Sequence, residues 1–288
     1  MGATATIGII GGSGVYSVEG VTVTATVNPK TPFGKTSDSI TIARIGGRDV
    51  AFLPRHGIGH RILPSEVPVK ANIWALKSLG VHTVIAISSV GSLKEKIPPR
   101  DFVIPSQIID RTRSRVNSFF GDGIVGHVTF DKPFCPALSD TLHDVILKAG
   151  HPVHRDEAYI CMEGPQFSTK AESELYRSWG GGVIGMTALP EAKLAREAEM
   201  CYAMIAMATD YDCWHPAHDA VTLDMIIGNA QANSSKVKAF LPDLINAVPD
   251  NDTCACRRAA AHAIMTDPKY FPHAAKKKLA LLYGKYWK

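Results

Sequence analysis

The chain has 288 residues, 45% of them hydrophobic, and a formal charge of +4 from 31 basic and 27 acidic side chains. That length and apolar content suffice for a full hydrophobic core, while so small and dispersed a basic excess argues against a nucleic-acid surface. No apolar run approaches the roughly 18 residues that span a bilayer, and no secretory pattern opens the sequence, so a cytoplasmic protein with no membrane partner is expected.

Runs of β-branched and alternating residues crowd the first fifty positions: TIGII (6–10), VTVTATV (21–27), DSITIARI (38–45) and DVAFL (49–53) predict strands. VKANIWALKSLG spaces Val69, Ile73 and Leu76 along one helical face and stops at Gly80, ahead of the apolar strand TVIAIS. ALSDTLHDVILKAG repeats the device with Leu138, Leu142 and Val145 on one face and Gly150 at the end. Strand AYICME, helix KAESELYRSW, strand GVIGM, helix PEAKLAREA and strand CYAMIAMA follow. This alternation predicts an α/β fold, one domain over 1–288 with a central mixed sheet flanked by helices. Three helices are expected to close the chain, at roughly 219–242, 254–265 and 273–284.

Candidate chemistry gathers at the strand ends. IGIIGGSGVY sets Ser13 in a glycine-rich turn where backbone N–H groups and a hydroxyl can meet an anion. The third glycine of a dinucleotide fingerprint is missing there, and FGKT (33–36) lacks the leading glycine of a phosphate loop because Pro29 occupies its place. PRHGIGH places Arg55 and His56 just past a strand, where parallel sheets present ligand groups. Arg55 can grip phosphate with two N–H groups, and His56 can donate from either ring nitrogen. His56 and His60 are four apart, but Pro54 and two glycines argue against the helix a metal pair would need.

ISSVGS (87–92) and GMTALPEA (185–192) end strands in Ser88, Ser89 and Thr187. Each alone reads as a turn or cap residue; with Ser13 and Arg55 they read as an oxyanion pocket. CMEGPQFSTKAES sets Phe167 beside Ser168, an aromatic that either packs in the core or stacks on a flat ring. ATDYDCWH ends an apolar strand in Asp210 and Asp212, whose burial demands a partner, a proton or a ligand. Strand alternation would send both to one side and Tyr211 to the other.

Taken in order, GIIGGSG, TPFGKTSD, RHG, NIWALKSLG, VGSL, PFCP, EGPQFST, MTALPEAKLAREA and CYAMIAMATDYDCW run through roughly residues 6 to 235. They resemble the trimeric purine nucleoside phosphorylase superfamily, most closely its 5'-methylthioadenosine phosphorylase branch. The resemblance implies phosphorolysis of 5'-methylthioadenosine to adenine and 5-methylthioribose 1-phosphate, with inorganic phosphate as co-substrate and neither metal nor organic cofactor. It implies a trimer or a dimer of trimers. Phosphate contacts would fall on Ser13, Arg55, His56, Ser88, Ser89 and Thr187, with Met186 beneath the sugar and Phe167 near base or sugar. Asp210 and Asp212 would face the purine N7 and 6-amino edge, with Tyr211 among the substrate contacts. His127 would be lent to a neighbouring subunit, and Ser168 and Leu223 would bear on substrate choice. Ser13 and Ser88 stand where animal members often have threonine, Gln166 where many have arginine, and Ser89 where a small residue is usual.

The chemistry asks for the same groups. Breaking an N-glycosidic bond builds positive charge on the sugar and negative charge on the purine, so phosphate beneath C1' and a proton at N7 lower the barrier. Asp210 can supply that proton if burial and the like charge of Asp212 raise its pKa. An ionised carboxylate only accepts hydrogen bonds, which favours a 6-amino group over a 6-oxo group, and Leu223 stands where 6-oxopurine enzymes tend to carry a histidine for the 5'-hydroxyl. A phosphorylase of broader range, acting on inosine, guanosine or adenosine, is the alternative, and a non-catalytic nucleoside-binding protein is the alternative of another class. Six scattered cysteines are expected to be reduced. Cys254 and Cys256 are too close for a zinc CxxC motif and form the sole such pair; a vicinal disulfide is the alternative.

Overall fold

The computed structural model describes residues 4–11, 21–215, 223–250 and 253–287. Among them run strands β1 (Ile7–Gly11), β2 (Thr22–Val27), β3 (Ile40–Ile45), β4 (Arg48–Pro54), β5 (Thr83–Ser92), β6 (Phe102–Arg111), β7 (Val153–Met162), β8 (Gly181–Gly185) and β9 (Cys201–Asp210). They form one mixed sheet in the order β2-β3-β4-β1-β5-β8-β7-β6-β9, and β5 also pairs with β9. β5 is the pivot. Its Thr83–Ala86 pairs in parallel with β1, its Thr83–Val90 in parallel with β9, and Gly91 and Ser92 pair antiparallel with β8. The circuit β5-β8-β7-β6-β9 therefore closes on itself, which removes sheet edges from the half that carries the chemistry.

Helices α1 (Val69–Ser78), α2 (Pro136–Lys148), α3 (Lys170–Ser178), α4 (Ala188–Glu197), α5 (Leu223–Ala247) and α6 (His273–Tyr283) cover the sheet. β9 shows why: every residue in it is buried, as a strand covered on both faces requires. Tyr202, Met204, Ala206 and Ala208 join a core with α1, α4 and α6, whereas Cys201, Ala203, Ile205 and Met207 join a second core with α2 and α5. That partition follows the two-residue period of a strand. α1 and α2 stop where Gly80 and Gly150 adopt φ of +91° and +78°. Thr169 and Glu172 form a reciprocal capping box at the start of α3.

The sheet has one strand that the hydrophobic pattern hides. β6 contains Pro105, and its register to β7 slips around that residue, because proline cannot donate to the ladder and is accommodated at a bulge. The helix expected at 254–265 is instead a short 3-10 turn, Ala255–Arg258, followed by irregular chain. Its Ile264 bridges Gly126, so contacts with a distant segment hold this stretch. α5 begins at Leu223 and runs past Pro242 to Ala247; residues 219–222 of the expected helix lie outside the described residues.

Phe240 on α5 is 2% exposed and meets Phe102 of β6 edge-on, ring centroids 5.7 Å apart. Phe240→Ala should lower unfolding free energy by about 3–5 kcal/mol, read from urea denaturation. A loss under about 1 kcal/mol would contradict this packing of α5 on the sheet.

Candidate active site at the carboxyl ends of the parallel strands

β4, β1, β5 and β9 are parallel neighbours, so their carboxyl ends open on one side of the sheet, where α/β proteins place their ligands. Arg55 follows β4 directly. Its buried guanidinium grips Glu191 through Nε–Oε2 at 2.9 Å and Nη2–Oε1 at 3.0 Å, and also donates to the carbonyls of Ile87 and Ile10. Glu191 accepts a further bond from the Tyr202 hydroxyl at 2.9 Å. The two-pronged grip expected for phosphate is thus made on Glu191, a residue whose role the sequence does not disclose. Arg55 stands at the site as an oriented cation.

His56 donates from Nδ1 to the Ile62 carbonyl at 2.9 Å, since a carbonyl can only accept. Burial, then the Arg55 charge, pushes its pKa down to about 4. The neutral ring therefore donates from Nδ1 alone and keeps a lone pair on Nε2, which donates only when the ring is protonated. His60 stacks on it with centroids 4.4 Å apart.

Ser88 and Thr187, 99 residues apart, bring their hydroxyls to 2.8 Å. Ser89 lies beside Ser88, and its carbonyl accepts a bond from the Ser88 hydroxyl. Thr187 caps α4 without bonding a helix N–H through its side chain, which leaves the hydroxyl turned to Ser88. Met186 is half-buried next to Thr187. Arg115, likewise unanticipated and with its side chain buried, donates to the carbonyls of Met162, Glu163, Met186 and Leu189, tying the ends of β7 and β8 together. Gly164, at φ +69°, makes that approach possible: a Cβ there would lie 2.4 Å from the Met186 sulfur.

Asp210, the last residue of β9, is 7% exposed, and Asp212 is 8% exposed. Burial raises the pKa of Asp210, against hydrogen bonds from the Thr209 hydroxyl (2.7 Å) and the Asp212 N–H (2.8 Å). Burial also raises that of Asp212, helped by the charge of Asp210. Both residues lie against Gly91, but not by strand alternation. β9 ends at Asp210 and Asp212 sits at φ +51° in the following turn, a conformation aspartate tolerates better than most residues. Gly91 supplies the room, because a Cβ there would stand 3.0 Å from Asp210 Oδ1. Trp214 anchors the turn through Nε1 to the Ser92 carbonyl at 2.8 Å, with the Arg177 guanidinium 3.6 Å above its ring. From α5, Asn229 and Asn233 donate to the carbonyls of Thr209 and Ala208.

Tyr211 joins a different cluster, stacking on His215 at 4.7 Å and meeting Trp214 edge-on, with its hydroxyl bonded to the Glu95 carbonyl. Ser168 lies near the acid pair, its carbonyl accepting from the Cys213 thiol. Phe167 is 58% exposed, which rules out the core role. His127 is exposed, on a segment whose backbone N–H bonds the Ala263 carbonyl. Ser13 lies outside the described residues, and so does the side chain of Leu223.

Residues 6–246 match the model of the phosphorylase superfamily, and the chain belongs to that family. The S-methyl-5'-thioadenosine phosphorylase of Thermosynechococcus vestitus is 53% identical over 98% of this chain and 99% of its own length. That of Koribacter versatilis is also 53% identical, over 98% and 97%. A crystal structure of methylthioadenosine phosphorylase sourced from an antarctic soil metagenomic library matches with a TM-score of 0.93 at 44% identity, covering 98% of this chain and 99% of that one. The methylthioadenosine phosphorylase of Schistosoma mansoni in complex with adenine matches at 0.83 and 33% identity, covering 89% and 97%. Among the described residues, no helix is long and apolar enough to cross a membrane.

A depressed His56 pKa has a stability consequence. The folded state resists protonation down to about pH 4, while the unfolded ring protonates near its ordinary value of 6.5, so this contribution is present above pH 6.5 and is lost as pH falls through that window. His56→Gln should lose less stability than the parent between pH 7 and pH 4, by urea denaturation at both; equal losses would contradict the buried neutral ring.

Proposed function

We propose that this chain is an S-methyl-5'-thioadenosine phosphorylase, cleaving 5'-methylthioadenosine with inorganic phosphate into adenine and 5-methylthioribose 1-phosphate in the cytoplasm. The observation that carries the reading is the buried Asp210–Asp212 pair beside strand-end hydroxyls, in a chain 53% identical over nearly its whole length to enzymes of that name.

Phosphate sits among Ser13, Ser88, Ser89 and Thr187, with the charge of Arg55 behind it and His56 at its edge. A phosphate oxygen attacks C1' as the bond to the purine nitrogen breaks. The bonding pair leaves with the purine, whose N7 takes a proton. Two buried carboxylates this near in the chain, one of them raised by the charge of the other, favour a state holding a single proton. Burial raises both carboxyls, so one proton is available to the pair; Asp210, at the strand end, serves as the acid at N7 and Asp212 as the acceptor for the 6-amino group. A 6-oxo group would meet that acceptor lone pair to lone pair, so 6-oxopurines are rejected by a site lacking a donor. Met186 lies beneath the sugar, and Phe167, Ser168 and Leu223 border the base and the 5' end. The exposed His127 serves a neighbouring subunit's site, which makes the functional unit a trimer or a dimer of trimers. Tyr211 acts indirectly, by packing the turn that carries Asp212. No metal or organic cofactor takes part in these steps.

Phosphate-dependent release of base from methylthioadenosine, adenosine and inosine, measured side by side, tests the assignment: methylthioadenosine should be the best substrate and inosine the worst, and inosine as the best would overturn it. Asp210→Asn should cut turnover of methylthioadenosine by about 10²–10⁴ and improve the relative use of inosine; unchanged selectivity would remove Asp210 from the base edge. Glu191→Gln loosens the clamp on Arg55 and should raise the apparent KM for phosphate about tenfold, or about 1.4 kcal/mol, with little change in that for the nucleoside. An equal rise in both would mean that Glu191 supports the fold alone.

A further inference from the structure

Away from the nucleoside site, four of the six cysteines meet. Cys135 precedes α2, Cys201 opens β9, and Cys254 and Cys256 flank the start of the 3-10 turn after α5. Their four sulfurs all lie within 4.8 Å of one another, and those of Cys135 and Cys254 are 3.7 Å apart. All are free thiols, three of them buried. A zinc ion bound to sulfur at about 2.3 Å in a tetrahedron sets its ligands about 3.8 Å apart, whereas a disulfide needs about 2.05 Å. Spacing along the chain does not disclose this group. Here the first two ligands are 66 residues apart and the last two arrive on a separate segment.

We propose that Cys135, Cys201, Cys254 and Cys256 form a structural binding site for one thiophilic divalent cation of tetrahedral preference, zinc foremost. Binding would replace each S–H by a metal–sulfur bond, releasing one proton from every thiol not already ionised and leaving a net charge of −2 on the cation and its four thiolates. The surroundings suit that charge. The charge of Arg196 acts on Cys256 in the direction that favours a thiolate. The Leu138 N–H is directed at the Cys135 sulfur, a bond of the kind that orients a thiolate ligand. The bound ion would pin the segment following α5 to the amino-terminal ends of α2 and β9.

Cobalt(II) titrated into the full-length protein, fully reduced and freed of metal by a chelator, tests the site. One equivalent per chain should bind with the intense visible bands of tetrahedral sulfur coordination, and zinc should displace it. Cys254→Ser/Cys256→Ser should abolish the bands, whereas Cys213→Ser, outside the cluster, should keep them. The proposal is overturned if the reduced parent protein binds no cobalt, binds it with the weak spectrum of octahedral coordination, or retains the bands in the double variant. Because the parent protein alone gives the first two readings, a folding defect in a variant does not blunt the test. Disulfides in the isolated protein, found by thiol counting after denaturation without reductant, would overturn it if reduction then conferred no cobalt binding.

Discussion

One buried ion pair organises the functional end of this molecule. Arg55 and Glu191, 3% and 2% exposed, meet through two short contacts, and neither charge is tolerable there alone. Through its remaining bonds the guanidinium also holds the carbonyls of Ile10 in β1 and Ile87 in β5, while Glu191 in α4 reaches Tyr202 in β9. Three parallel strands, a helix and the residue after a fourth strand are thereby fixed relative to one another. Removing one partner of such a pair typically costs about 3–5 kcal/mol because the other is stranded. The pair also sets the electrostatics nearby: the Arg55 charge helps keep His56 neutral, and the carboxylate of Glu191 balances the buried cation.

The acid pair at the end of β9 works on the opposite principle. Thr209 and the Asp212 backbone give Asp210 one hydrogen bond on each oxygen, enough to hold the carboxyl in place but not enough to offset its burial, so its pKa stays raised. A strand end can carry such a group because β9 itself is rigid, paired with β5 along most of its length and buried throughout. The turn beyond it is secured independently, by Trp214 on the Ser92 carbonyl and Arg177 over the indole. Neighbours of this kind fix a side chain in place before any ligand arrives.

Much of the fold is legible in the sequence, and the misses have common causes. The four N-terminal strands and the helices with strong apolar spacing fall within a few residues of their expected positions. β6 was hidden by Pro105, which breaks the strand pattern locally yet is absorbed by a register slip. The stretch at 254–265 has helix-forming alanines and arginines, but the bridge to Gly126 and the Glu199 carboxylate bonded to the Ala260 N–H hold it in another shape. Propensity is a weak local bias that such long-range contacts override. At the site, Asp210, Ser88, Thr187 and Arg55 could be named from their places at strand ends. Glu191, Arg115 and Gly91 could not, because their importance lies in partners 136, 71 and 119 residues away.

The sequence by itself determined most of the strands and helices, and which hydroxyls, cations and acids terminate the strands it discloses, because periodicity and strand-end chemistry are local properties. Only the tertiary structure decided how those groups pair. It turned the Arg55 fork onto Glu191 rather than outward, left His56 with a lone pair on Nε2, and brought Asp212 to Asp210 through a left-handed turn instead of along a strand. It also gathered four cysteines from three separate segments into one cluster. Hydrogen-bond direction and burial energy depend on the distances between groups far apart in the chain, and those distances exist only once the sheet has closed.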